Sequence, residues 1–269
     1  MSAAPFADRL AAAADERSSQ LCLGLDPAAD DAAAAAADCR ALIDAAGPSC
    51  VAAKPQVACF ERLGAAGWAA LEEVVEAARG AGLLIVADAK RGDVPHTAAA
   101  YAEGLIGDSG LGADAVTVNP LLGVDSLDPW VELAAARGAG VFALVRTSNR
   151  GARDVLDLET TSGPVHEHLA SIVAAEQRLE GGGGLSGMGA VVGATAPELL
   201  GRLRALMPSS VFLLPGVGAQ GASAAELGPA LGGHPASILV PVSRGISAAP
   251  DPGSAARNLR AELWSLGAG

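Results

Sequence analysis

Lysine is nearly missing from this chain. Of its 18 basic residues sixteen are arginine, and only Lys54 and Lys90 are lysine. Almost every ordinary surface cation is therefore an arginine, and solubility explains neither lysine. Positive charge is scarce altogether: the formal net charge is -12 at pH 7 and the isoelectric point is near 4.7. That balance repels nucleic acid and anionic membranes, whose binding is driven by clustered cations. Aromatic residues make up only 3%, which leaves few platforms for stacking bases. An anionic substrate would have to be met by a few placed cations. The four cysteines, Cys22, Cys39, Cys50 and Cys59, show no C-x-x-C spacing and read as reduced, mostly buried thiols rather than as a metal site or disulfides. No apolar run approaches the roughly 20 residues of a membrane span. The first twenty residues are interrupted by Asp8, Arg9, Asp15, Glu16 and Arg17, which excludes a secretory apolar core and predicts a helical extension over residues 1–19. The cytoplasm is the default compartment.

What the chain has in quantity is short apolar runs that end on turn or polar residues. They are "QLCLGLDP" from 20, "SCVAAKPQ" from 49, "LLIVADAK" from 83, "AVTVNP" from 115, "VFALVRTS" from 141, "GAVVGAT" from 189, "SVFLLPGVG" from 210 and "SILVPVSR" from 237. Helical stretches rich in alanine, leucine, glutamate and arginine separate most of them. Continuous apolar strands alternating with helices imply a parallel sheet covered on both faces. Eight such units predict an α/β fold, a single-domain (β/α)8 TIM barrel over residues 1–269, with a doubly wound open sheet as the alternative.

The connection after the fifth run is long. Within it "NRGARDVLDLETTSG" reads as a loop near the mouth of the barrel. His166 and His168 stand two apart on a helix, so they point to different faces and read as a solvated pair. The "GGGG" at 181–184 follows a helix rather than a strand and reads as a tolerated linker, not a phosphate cradle.

The eight runs finish on Asp26, Lys54, Asp88 with Lys90, Asn119, Ser148, Thr195, the turn from Pro215 to Gly218, and Arg244. In a parallel barrel these ends converge on one face, where active sites of this architecture lie. In "VADAKRGD" the side-chain period of two puts Asp88 and Lys90 on one face of a strand and sends Arg91 to the other. Buried charges persist when paired, so an isolated structural salt bridge is the bland reading. Lys54 and Asp93 argue for more. A row of Lys, Asp, Lys and Asp flanks each lysine with carboxylates and favours the ammonium, which makes it an acid rather than a Schiff-base nucleophile. Near the C-terminus, "PGVGAQG" brings glycines after a strand and "VSRG" adds a guanidinium after the next. Together they predict an anion site of backbone N–H groups and one cation.

In this order "LCLGLDP", "AAKPQVACFE", "ADAKRGD", "VNPLLG", "VRTSN", "PGVGAQG" and "SRGI" resemble orotidine 5'-phosphate decarboxylase in its longer bacterial form, over nearly the whole chain. The resemblance implies decarboxylation of orotidine 5'-monophosphate to UMP and carbon dioxide, the last step of pyrimidine nucleotide synthesis, with no metal and no organic cofactor. It implies Lys90 as the proton donor to carbon 6 and Asp88 beside the departing carboxylate, either repelling it or holding Lys90. It implies Lys54 and Asp26 at the ribose hydroxyls, and Asp93 and Thr97 at a site shared across a homodimer. It further implies Ser148 at the pyrimidine, Gln220 between base and phosphate, and Arg244 with Pro215 and the Gly216 to Gly218 backbone at the phosphate. Two departures stand out, Arg150 where proline would follow "TSN" and the apolar approach "VPVSR". Two other readings remain open: a magnesium-dependent sugar-phosphate decarboxylase of the same superfamily, for which Glu61 is the candidate extra ligand, and a non-catalytic nucleotide-binding barrel.

Overall fold

The structure is a computed structural model that describes residues 4–217 and 223–267. Its core is a closed barrel of parallel strands: β1 (Leu21–Leu25), β2 (Ala52–Pro55), β3 (Leu84–Arg91), β4 (Ala115–Val118), β5 (Gly140–Arg146), β6 (Ser186–Val192), β7 (Ser210–Leu213) and β8 (Ile238–Val242). Each pairs with its neighbours in chain order, and β1 closes on β8 with Leu21 opposite Val240. The expected barrel is therefore the fold, and the open sheet is excluded by that closing ladder.

Alternation along the strands divides the core in two. Leu21, Leu23, Ala53, Ile85, Ala87, Val116 and Val118 face the surrounding helices. Cys22, Ala52, Val86, Ala115, Phe142, Val211 and Leu239 face the barrel interior. Helix α1 (Phe6–Arg17) plugs the N-terminal end of that interior with Phe6, Leu10 and Ala14. Phe6 meets Phe142 edge to face at 5.8 Å, a favourable aromatic arrangement. Glycines make the room: a Cβ at Gly140 would lie 2.6 Å from the Phe6 ring, and one at Gly189 2.5 Å from the Phe142 ring.

The tetraglycine is more than a linker. Gly182 and Gly183 donate their N–H groups to the Asp8 carboxylate at 3.0 and 3.2 Å, so the segment is a nest that ties α1 to the chain 174 residues away. Two of its positions favour glycine: a Cβ at Gly181 would sit 2.4 Å from the same carboxylate, and Gly184 has φ 83°.

Around the barrel run α2 (Ala32–Ala46), α3 (Val57–Glu61), α4 (Gly64–Gly80), α5 (Pro95–Ile106), α6 (Asp128–Arg137), α7 (Val165–Ala175), α8 (Pro197–Leu206), α9 (Arg244–Ser247) and α10 (Pro252–Ser265). Local chemistry sets their ends: Asp31 accepts the Ala34 N–H at 2.9 Å, and Gly138 ends α6 in the left-handed region. Among the described residues no helix is long and apolar enough to cross a membrane. All four cysteines are free, three of them buried. Burial pushes the Cys39 and Cys50 thiols up to about 12.

The β5–α7 connection has local structure of its own, and one expectation about it needs correcting. The segment after β5 folds into a 3-10 turn over Arg150–Asp154 and a small hairpin pairing Glu159–Thr160 with Gly163–Pro164. Arg146 pins it through a two-pronged ion pair to Asp157 at 2.7 and 3.0 Å. His166 is not solvated: it is buried, its Nδ1 lies 2.8 Å from the Leu156 carbonyl, and only His168 faces water.

Candidate active site

The C-terminal ends of β2, β3 and β4 place one carboxylate among four donors. Asp88 is 5% exposed and Lys54 7%. The Lys54 Nζ donates to Asp88 Oδ2 at 2.6 Å, and the Gln56 amide reaches the same oxygen at 3.1 Å. On the other side, Thr117 Oγ1 donates to Asp88 Oδ1 at 2.9 Å, and the Lys90 ammonium donates to that oxygen too. Burial works against the Asp88 carboxylate, but Lys54 and Lys90 outweigh it and hold the group well below the usual carboxylate range. Burial also works against the Lys54 ammonium, and Asp88 and then Asp26 more than restore it, so its affinity for the proton is raised. Both groups are charged at neutral pH.

Strict alternation does not hold to the end of β3. Ala87 faces Val116 and Arg91 faces Val118, so Asp88, Ala89 and Lys90 all stand opposite Thr117. This bulge twists the strand and re-aims its side chains. Lys90 takes a left-handed backbone, φ 48°, uncommon for a residue other than glycine. Its N–H, displaced from the ladder, is accepted by Thr117 Oγ1 at 3.0 Å. Lys90 and Asp88 meet as the period of two suggests, but through a bulge rather than a regular strand. Arg91 turns away, to an ion pair with Glu61 and the face of Tyr101 at 5.3 Å. Glu61 is thus committed to a guanidinium.

A second group opens beside the first. Asp26, Lys54, Pro215, Gly216, Ser243 and Arg244 line a cavity of about 130 Å³ at the ends of β1, β2, β7 and β8. Arg244 is exposed, and its guanidinium has no hydrogen-bond or ion-pair partner among the described residues. Gly216 has φ 117°, a turn that favours glycine. Gly24 lets β1 approach this corner, since a Cβ there would lie 2.8 Å from the Ser243 Cβ. Gly218 and Gln220 lie outside the described residues.

Ser148 is half-buried past β5. Its carbonyl is held by Thr195 Oγ1 at 3.2 Å, and a Cβ on Gly193 would come within 2.6 Å of its Cα. Asp93 and Thr97 do not join the Lys54–Asp88–Lys90 cluster; the Asp93 carboxylate accepts the Val94 N–H at 2.8 Å. Sequence reasoning passed over Gln56 and Thr117. Gln56 follows directly on Lys54 and Pro55. Thr117 alternates with inward-facing Ala115, so a hydroxyl at an interior position of an apolar run was the available signal. Among the described residues no group of three or more histidines, cysteines and carboxylates is arranged to hold a metal ion.

Known proteins resemble this chain over most of its length. The family model described as "Orotidine 5'-phosphate decarboxylase / HUMPS family" matches residues 19–259. The orotidine 5'-phosphate decarboxylase of Rhodopirellula baltica is 40% identical, covering 90% of this chain and 87% of its own. That of Deinococcus radiodurans is 43% identical, with 86% and 84% covered. The solved structure of Leishmania donovani OMP decarboxylase is 38% identical, superposes with a TM-score of 0.86, and is matched over 98% of this chain and 99% of its own. On the family match and on relatives this similar over most of their length, the chain belongs to the orotidine 5'-phosphate decarboxylase family.

Proposed function

We propose that this chain converts orotidine 5'-monophosphate to UMP and carbon dioxide in pyrimidine nucleotide synthesis, with Lys90 as the proton donor. The observation that carries the lysine's role is the cluster itself: the only two lysines of the chain converge on one buried carboxylate at the strand ends. As the bond from carbon 6 to the carboxylate breaks, its electron pair stays on carbon 6 and carbon dioxide leaves. A fixed ammonium beside that carbon stabilises the carbanion and then gives it a proton, which solvent restores to the amine. Asp88 already accepts from four donors, which supports holding Lys90 as its principal task. Preorganised donors of this kind are each worth about 10²- to 10³-fold in rate.

Asp26 and Lys54 hold the ribose hydroxyls, and Ser148 faces the pyrimidine. The guanidinium of Arg244, with the backbone from Pro215 through Gly218, takes the phosphate, and Gln220 spans base and phosphate. Phosphate binding remote from carbon 6 contributes to closing and drying the site. The molecule acts as a homodimer in which Asp93 and Thr97 complete the partner's site. Supporting this, large apolar side chains are exposed, Val94 next to Asp93 and Tyr101 one turn after Thr97 on α5, with Leu121, Leu122 and Val124 after β4, Leu121 by 73%, and exposure of this kind favours a protein partner. Free cysteines suit a reducing compartment, the cytoplasm. The reaction in this reading needs no metal, and the engagement of Glu61 by Arg91 weighs against the magnesium-dependent alternative.

The test is loss of orotidine 5'-monophosphate absorbance with protein pretreated with EDTA, beside Lys90→Ala. Turnover by the chelated wild type and none by the variant is expected. UMP binding without turnover would leave a nucleotide-binding barrel, and turnover restored only by magnesium would leave the metal-dependent reading.

A further inference from the structure

We infer that Thr117 is a positioning residue for Lys90, acting through the strained backbone of the bulge and through Asp88. The inference rests on the reading of Lys90 as proton donor. Thr117 is fully buried on β4, and its hydroxyl has one proton. That proton is given to Asp88 Oδ1 at 2.9 Å, so the oxygen is free to accept the Lys90 N–H at 3.0 Å. The Lys90 ammonium returns to the same Asp88 oxygen. The contacts close a ring: Lys90 backbone to Thr117, Thr117 to Asp88, Asp88 to the Lys90 side chain.

The ring matters because Lys90 is in a conformation it would not choose. A left-handed backbone at a residue other than glycine is strained and persists only where surroundings over-determine it. The N–H displaced from the β3–β4 ladder has Thr117 as its acceptor, and an unpaired N–H is itself unfavourable. Without the hydroxyl, only the ion pair between Asp88 and the exposed Lys90 ammonium is left to hold the backbone rotation that sends this side chain to Asp88 rather than toward the helices, where Arg91 points. Asp88 would also lose the neutral donor that fixes Oδ1. Thr117 does not hold the nucleotide in this account. Its loss therefore lowers the rate of the chemical step and leaves ribose and phosphate binding in place.

Thr117→Val keeps the shape and removes the hydroxyl, and Thr117→Ser keeps the hydroxyl and removes the methyl. For Thr117→Val, kcat is expected to fall about 10- to 100-fold, the scale of a small misplacement of a reacting group, with KM and the UMP dissociation constant within about threefold of wild type. Thr117→Ser should recover most of the rate. Should valine prevent folding, Thr117→Ala carries the same expectation, with UMP binding as the check on its fold. Wild-type kcat in the valine or alanine variant overturns the inference. So does a loss in which UMP affinity falls by the same factor as kcat, or one that serine does not rescue, since either marks a purely structural residue. Lys90→Ala, run in parallel, separates the two claims. An inactive Lys90→Ala beside a fully active Thr117→Val sinks only the role of Thr117, whereas an active Lys90→Ala sinks the proton-donor reading beneath it.

Discussion

Replacing Asp88 by asparagine should unfold this protein more readily as well as silence it, and the surrounding donors set the size of the effect. Lys54 and Gln56 donate to one carboxylate oxygen, Thr117 and Lys90 to the other. Asparagine keeps a single acceptor oxygen, so whichever way the amide turns, its NH2 faces donors. If it faces Lys54, a buried ammonium loses its contact at 2.6 Å. Removing one partner of a buried ion pair costs about 3–5 kcal/mol, because the other charge stays desolvated. Lys90 is exposed, and its half of the network adds little to stability. At about 2–4 °C per kcal/mol for a domain of roughly this size, Tm should fall by roughly 6–20 °C. Thermal and urea unfolding followed by circular dichroism at pH 7 measure the changes in Tm and in free energy. Adding Lys54→Met to Asp88→Asn removes the stranded charge and should recover most of the loss in stability, with no recovery of activity. A single variant as stable as wild type, or a double variant no better than the single, would refute the claim that pairing is what keeps Lys54 buried.

The same network predicts a pH window. Asp88 is held below its ordinary range, so its contribution is present above the unfolded value near 4 and lost as pH falls below it. Lys54 is raised, so its contribution is present below the unfolded value near 10.4 and lost as pH rises past it. The stability difference between wild type and the Asp88→Asn/Lys54→Met variant should therefore be flat from about pH 5 to 9 and shrink at both ends, as urea midpoints across that range will show. Arg204 is buried with no carboxylate partner among the described residues and donates to the carbonyls of Ala230, Met207, Pro208, Ser210 and Ser237 at 2.7–3.3 Å, over the ring of Phe212. Arg204→Met should cost about 2–4 kcal/mol of stability in denaturant titration by stranding those acceptors, with kcat unchanged. Gly193→Ala would drive a methyl into the Ser148 backbone and should lower kcat/KM by about 10-fold or more. Asp8→Ala, by emptying the nest at Gly182 and Gly183, should expose residues 181–184 to limited proteolysis at an unchanged turnover rate.

Much of the fold could be read from local pattern. Eight apolar runs with polar ends mark the strands, and the shared direction of a parallel barrel puts Asp26, Lys54, Asp88, Ser148 and Arg244 on one face. The near absence of lysine marked Lys54 and Lys90. Pattern was silent where contacts join distant segments. Nothing in "GGGG" tells that its amides receive a carboxylate from the first helix, nor in "PVHEH" that the first histidine is buried under a hairpin while the second is solvated. Thr117 and Gln56 are ordinary polar residues until β3 bulges beside them.

Composition and period alone thus determined the barrel, its reactive face and the rarity of its ammonium groups, because burial on both sides of a parallel strand imposes a continuous apolar run and strand ends must turn polar. Only the tertiary structure decided how Lys90 comes to Asp88. Its register shift, its left-handed backbone and the hydroxyl that accepts its N–H depend on where β4 lies against β3. A side-chain period carries no information about the length of the neighbouring strand it must match.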